Sequence, residues 1–562
     1  MAYKRLGDVL LAAGVIDEGQ LNEALAVQKG TNKRLGTILQ ELNIITEPQL
    51  IHALEMQLGV DFIDLTGLVI PTELSKLIPK NIATKYNLVP VKLDRNELYI
   101  AMSDPLNFVA IEETKKISGK QIVPMISTVG AVDRAIATLY GNEGAAKAIE
   151  EMKQDVKDTS GINQNLVTSL EDDAGEAPTI RLVNSIIERA IVERASDIHL
   201  EARENDMLIR MRVDGMLRNI LTIPLELQSS VIARLKVMSN MNTAERKVPQ
   251  DGRANVRVRD KDVDLRVSTL PTIYGEKMVI RLLDKSTQQL KRSALGIDDY
   301  NNDRLNKLMR ANSGVFLIAG PTGSGKSSTM SVMVRELNRE EVNIVTLEDP
   351  VEYNIDGVNQ VQINEKTNMT FASGLRSILR QDPDIISVGE IRDGETGEIA
   401  MRAAITGHLV ISTIHTNDSV ATIDRLLDIG IPPYLVASAL KGVISQRLVR
   451  KICPNCRKSY IPTDEDLEIL GLERKEDMKL YKGEGCPMCF HTGYSGRTAV
   501  FEILLINGKI RKLISNSAPY AEIFEAAKQD GFRTLEDRCI ELLESGDTSF
   551  EEVMRTINST AE

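Results

Sequence analysis

The sequence predicts a multidomain α/β chain, and three observations carry that prediction. The apolar run 315–319 leads through a glycine-rich turn at 320–328 into a helical pattern. From residue 291 onward, apolar strands alternate with helices, the rhythm of a parallel sheet. Near the start, the stretch 5–28 recurs as 34–57, each copy opening on Arg-Leu-Gly. At 562 residues the chain is too long for one hydrophobic core. It has no Trp and only 4% aromatic residues, so its cores must rest on Leu, Ile, Val and Met.

Each repeat reads as an apolar segment, a capping box and a helix. The boxes pair Asp17 with Gln20 and Thr46 with Gln49. Leu21 and Leu25, or Leu50 and Leu54, follow on the helix face. Strand patterns at 88–93 and 97–103 and helical patterns at 107–117 and 129–140 then form a small α/β part, which completes an N-terminal module 1–140. Residues 141–177 are polar and acidic and read as a flexible linker. Pro178 opens a helix with Ile180, Val183, Ile187 and Ile191 on one face. Asp214-Gly215 between alternating runs marks a hairpin, and strand patterns at 254–260, 263–270 and 276–283 complete a second α+β domain, 178–290. Residues 291–562 form the largest domain, with a helical C-terminus whose pattern reads as exposed.

The net charge of −12 argues against a chain whose work is to coat nucleic acid, since that needs Lys and Arg to neutralise phosphates. No apolar run is long enough to cross a bilayer, and the first residues lack a cleavage-site pattern. A cytoplasmic chain that meets a membrane only through a partner is expected.

The turn Gly320, Pro321, Thr322, Gly323, Ser324, Gly325, Lys326, Ser327, Ser328 follows a strand and opens a helix. In that context it reads as a phosphate loop. Glycines let backbone N–H groups turn inward, and the helix N-terminus adds its positive end. Lys326 is expected on the β- and γ-phosphates and Ser327 on Mg²⁺. Two further strands end in acids, one in Glu348 and Asp349, the other in Glu390. Either carboxylate suits a metal-bound or attacking water. His408 and His415 flank an apolar strand, and each reads equally as a phosphate-side sensor or as a histidine satisfied locally.

Cys453 and Cys456, and Cys486 and Cys489, form two C-x-x-C pairs within 450–500. They predict a tetrahedral Cys₄ zinc site, structural because four thiolates leave no open position. Cys539 reads as core. The run 441–458 holds basic residues and no acid; a solvated face and a dock for an acidic partner or membrane surface both remain open.

Taken in order, GPTGSGKSS, TLEDPVEY, RQDPDIISVGEIRD, TGHLVISTIHTN and the two cysteine pairs resemble the secretion-type hexameric ATPases, which serve type IV pilus assembly and type II secretion. The resemblance covers about residues 178–562. It implies a RecA-like ATPase domain, a homohexamer, ATP and Mg²⁺ as cofactors, and an inner-membrane platform protein as partner. It also implies that Glu390 is the catalytic glutamate and Glu348 the first acidic-box residue. Arg266 and Arg281 are expected to reach ATP from the preceding domain, with Arg376, Arg380, Arg392 and His415 near it. The repeats resemble a cyclic-di-GMP-binding module, with Arg5, Leu6, Gly7 and Gln28 in one copy and Arg34, Leu35, Gly36 and Gln57 in the other. Asn43 departs from that pattern where the first copy has Gly14. Pilus assembly is the leading expectation, type II secretion the runner-up, and a nucleic-acid motor the alternative of another class.

Overall fold

The computed structural model describes residues 6–29, 35–42, 44–45, 50, 53, 55, 60–65, 68, 70–136, 139–140, 149–152, 177–258, 261–284, 291–474 and 478–561. Arg5, Arg34, Asn43, Thr46, Gln49, Leu54, Gln57 and most of the expected linker 141–177 lie outside the described residues. The chain forms two compact units, residues 1–283 with 486–491, and residues 284–485 with 492–562.

The first unit opens on the helices Leu6–Ala12, Glu18–Lys29 and Leu35–Glu41. The first capping box closes as expected: the Gln20 N–H donates to Asp17 Oδ1 at 2.8 Å and the Asp17 N–H to Gln20 Oε1 at 3.0 Å. Packing accounts for the repeat glycines. A Cβ on Gly7 would lie 3.0 Å from Leu21 Cδ1, and one on Gly36 would lie 2.8 Å from Leu50 Cδ1. Glycine and leucine are equally spaced in both copies, so the same glycine–leucine contact recurs.

A three-stranded sheet follows. β1 (Leu88–Asp94) pairs antiparallel with β2 (Glu97–Met102), and β3 (Gln121–Ile126) joins β2 in parallel after the helix Phe108–Ser118. The helix Pro178–Val192 then starts at its proline and buries Leu182, Val183, Ile186, Ile187 and Ala190. Ile180, in its first turn, is only partly covered. The helix packs on a six-stranded antiparallel sheet of β4 (Ala195–Ala202), β5 (Asp206–Val213), β6 (Met216–Pro224), β7 (Gln250–Val258), β8 (Lys261–Thr272) and β9 (Gly275–Asp284), in the order β6-β5-β4-β9-β8-β7. The β5–β6 turn has φ of 48° at Asp214 and 84° at Gly215, the positive pair that a two-residue hairpin turn needs.

The second unit is built on a seven-stranded sheet, β12-β11-β13-β14-β10-β15-β18. Its strands are β10 (Gly314–Ala319), β11 (Ile344–Glu348), β12 (Asn359–Gln362), β13 (Ile385–Val388), β14 (Leu409–Ile414), β15 (Leu440–Ile452) and β18 (Tyr494–Leu505); β16 (Arg457–Tyr460) and β17 (Leu480–Gly483) form a separate ribbon. All neighbours pair in parallel except β18, which runs antiparallel to β15. Val315, Leu317 and Ala319 of β10 enter one apolar cluster, and Phe316 and Ile318 enter another. A strand buried on both faces must be apolar throughout, which is how 315–319 reads.

The C-terminus departs from expectation. The helix Leu535–Glu544 buries Leu535, Cys539, Leu542 and Leu543, and Val553 of the last helix is fully covered. These residues close a cluster over Val449 and Val500 of the sheet. A partner surface far away in sequence covers their apolar stripe, so the pattern alone reads as exposed.

Candidate active site and metal centre

The sheet order brings the expected residues to one edge. Beyond the C-terminal ends of adjacent strands lie Glu348 (β11), Glu390 (β13), His415 (β14) and the loop 320–325 (β10). That edge is where open α/β sheets bind ligands. The loop turns at Gly320, Gly323 and Gly325, with φ of 150°, 80° and 89°, and the helix Lys326–Leu337 starts directly after it. Ser327 is exposed at that start, available to a metal ion.

Lys326 is buried, and its ammonium donates to the carbonyls of Gly320 at 2.7 Å and Pro321 at 3.0 Å. Burial lowers its pKa to about 8; the Glu390 charge opposes this and the Arg447 charge adds to it. Glu390 is hydrogen-bonded to Arg392, and His415 Nε2 lies 3.3 Å from its second oxygen. Burial, then the Lys326 charge, lowers the His415 pKa against the pull of Glu390. His415 is therefore neutral near pH 7 and can donate one N–H to the carboxylate. Glu348 accepts from Thr346 Oγ1 at 2.6 Å and Gln360 Nε2 at 2.9 Å, which fixes the carboxylate at the strand end.

The two histidines separate. His415 faces Glu390, whereas His408 Nδ1 lies 2.8 Å from the Ala403 carbonyl and is satisfied locally. Of the expected arginines, Arg392 lies on Glu390, while Arg376 pairs with Glu395 at 2.6 Å and Arg380 donates to the Arg376 carbonyl at 2.8 Å. In the first unit, Arg281 Nε donates to Asp197 at 3.2 Å, and Arg266 of β8 stands opposite Arg253 of β7. The basic run divides: 440–452 is a sheet strand, with Arg447 buried and Arg450 held at 2.7 Å by the fully buried Glu552, whereas Lys451, Arg457 and Lys458 are exposed. Sequence reasoning passed over Gln446 and Arg447 of that strand. Their signal was two polar residues in the middle of an apolar strand.

The four paired cysteines meet. All four sulphurs lie within 4.8 Å of one another, and Cys453, Cys486 and Cys489 are buried. The Cys453 N–H donates to the Gly493 carbonyl at 2.9 Å and the Glu484 N–H to the Cys456 carbonyl at 3.1 Å, so the backbone holds the pairs in register. Cys486 Sγ and Cys489 Sγ are 3.7 Å apart. A tetrahedron with Zn–S bonds of about 2.3 Å has an edge of about 3.8 Å. The cluster therefore fits a four-thiolate metal ion.

Residues 172–555 match the family described as Type II/IV secretion system protein. The chain belongs to that family. Residues 58–146 match the MshEN domain, a stretch that begins directly after the second repeat. This secretion-family chain is 40% identical over 506 residues to the Type II secretion system ATPase E of Vibrio cholerae, covering 87% of this chain and 99% of that one. It is 38% identical over 557 residues to the type IV pilus assembly ATPase PilB of Myxococcus xanthus, covering 98% of each. Among solved structures, the ATPase DotB of Legionella pneumophila matches with a TM-score of 0.51 and 22% identity, over 67% of this chain and 95% of that one, a likeness of fold. Among the described residues, no helix is long and apolar enough to cross a membrane.

Proposed function

We propose that this chain is a Mg²⁺-dependent ATP hydrolase that works as a homohexamer to drive type IV pilus assembly, under cyclic-di-GMP control. One observation carries the reading: Lys326, Glu348, Glu390 and His415 converge on one sheet edge beside the phosphate loop. Similarity to a pilus assembly ATPase over 98% of both chains supports the choice of machine. In this reading, the loop amides and Lys326 hold the phosphates. Ser327 and Glu348 serve the metal ion, and Glu390, oriented by His415, takes the proton of the attacking water. Arg266, Arg281, Arg376, Arg380 and Arg392 are proposed to answer charge on the phosphates. Zn²⁺ in the cysteine cluster would hold the β16–β17 ribbon in place. The motor would sit at the cytoplasmic face of the inner membrane against a platform protein. The repeats 5–28 and 34–57, with the α/β part behind them, would take the cyclic dinucleotide.

Hydrolysis by the purified chain and its Glu390→Gln variant, each with and without cyclic di-GMP, tests this. Glu390→Gln should lose turnover by about 100-fold or more and keep nucleotide binding. Turnover that survives the change removes Glu390 from its role. Turnover indifferent to a cyclic dinucleotide that also fails to bind reduces the N-terminal module to a docking element. The 40% identity to a type II secretion ATPase favours a second reading, service of a secretion machine. A deletion strain that keeps its surface pili and loses protein secretion would select it.

A further inference from the structure

We infer that Gln446 is a positioning residue that holds the phosphate loop in its binding shape before nucleotide arrives; this rests on the phosphate-loop reading. A loop that turns its N–H groups toward phosphates turns its carbonyls the other way, and those carbonyls need donors. Three are visible. Lys326 takes the carbonyls of Gly320 and Pro321 at 2.7 and 3.0 Å. Gln446 Nε2 takes the carbonyl of Ser324 at 2.8 Å. Ser324 stands before the N-cap residue Gly325, where no helical N–H serves its carbonyl.

The two donors differ in kind. The Lys326 ammonium is the group expected on the phosphates, so its hold on the loop must change when ligand binds. Gln446 is 1% exposed and has no such second task, so its hold persists. Its other end grips the helix behind the loop: Oε1 accepts from Thr329 Oγ1 at 2.7 Å, and Thr329 is fully buried. One amide thus ties the loop to the first turn of the helix that presents it. The amide carries the donor and the acceptor on one planar group, and Glu would set an oxygen against the Ser324 carbonyl. The fit is close. A Cβ on Gly320 would lie 2.6 Å from the Gln446 carbonyl oxygen, and one on Gly325 would lie 2.8 Å from its Nε2. The neighbouring residue extends the tie, because Arg447 donates to the Asn417 carbonyl at 2.8 Å, two residues past His415. β15 reaches this position because it pairs with β10 as far as Ala319 and Ser445 and then runs on past the loop.

The test is Mg-ATP affinity and steady-state hydrolysis of the full chain carrying Gln446→Glu, alongside Thr329→Val, which removes only the hydroxyl. Gln446→Glu should raise Kd and KM tenfold or more while kcat falls by less than threefold, with the nucleotide-free unfolding midpoint within a few degrees of wild type. Thr329→Val should raise Kd about threefold to fivefold and decides the matter if Gln446→Glu does not fold. A Kd within twofold of wild type in the folded variants overturns the inference. Absence of Mg-ATP binding in the unaltered chain overturns the phosphate-loop reading instead, so the two failures are distinguishable.

Discussion

On the proposed reading, burial of Lys326 makes nucleotide binding a proton-linked event with a calculable profile. An ordinary lysine titrates near 10.4, and this one at about 8. Loss of water around the ammonium is the largest cause; the Glu390 charge opposes the shift and the Arg447 charge adds to it. Phosphates favour the ammonium over the free amine. Affinity should therefore be flat below about pH 7, where Lys326 is already charged, and fall as pH rises through 8. Half the chains are charged at pH 8 and about one in ten at pH 9, so Kd should rise roughly fivefold between pH 8 and 9. Binding should take up about half a proton at pH 8 and close to one at pH 9. His415 is held below its usual range and does not titrate in this window. Calorimetric titration of a Mg-bound, non-hydrolysable ATP analogue, in two buffers of different ionisation heat at pH 7, 8 and 9, reads affinity and proton uptake together. Constant affinity up to pH 9.5 with no uptake would show that the ammonium stays charged, and the desolvation argument would fail. Glu390→Gln removes the carboxylate that raises the Lys326 pKa, so the break in the profile should move to lower pH.

Two more outcomes follow from buried groups. The purified chain should contain about one zinc ion per chain, and a strong chelator should lower its unfolding temperature, because metal-binding energy is also folding energy; elemental analysis that finds no metal ends the assignment. Glu552 is fully buried, and although burial pushes its pKa up, Arg555 and Arg450 together hold it low. Its contribution is present above the usual carboxylate range and lost as pH falls through its lowered value. Glu552→Gln leaves two guanidinium groups without their carboxylate and should cost about 3 kcal/mol in denaturant unfolding; a cost below about 1 kcal/mol would mean that solvent reaches the cluster.

Local signals were legible where local chemistry decides structure. The Asp17–Gln20 box, Pro178 at a helix start, Asp214-Gly215 at a hairpin and the strand-loop-helix around Lys326 each stand where the sequence places them. What failed depended on partners far along the chain. The basic run 441–458 gave no sign that Arg450 would meet Glu552, a hundred residues on, or that Arg447 would turn inward to a backbone carbonyl. The apolar stripe of the last helices looked uncovered because Val449 and Val500 cover it. His408 and His415 flank the same strand, and no local pattern tells them apart. His408 ends at a helix carbonyl on one side, and His415 ends at the acid of a neighbouring strand on the other.

That last difference is one of strand order, and strand order makes the site. Glu348 and Glu390 are more than forty residues apart and become neighbours because β11 and β13 pair in parallel, Leu347 opposite Val388. His415 joins them because β14 lies beside β13, and the glycine-rich loop joins because β10 lies beside β14. Each side chain needs only its place at a strand end; the crossovers bring the four ends to one edge. β15 adds the piece that end positions do not supply. It passes the end of β10 and sets Gln446 against the back of the loop, so the face toward ligand and the face toward scaffold are held by different residues. A change on the ligand face, such as Glu390→Gln, should therefore act on turnover with binding kept. A change on the scaffold face, such as Gln446→Glu, should act on binding with turnover largely kept. Opposite signatures from one sheet edge are what this arrangement demands, and variants that failed alike in both would mean that the loop and the acids are not separately held.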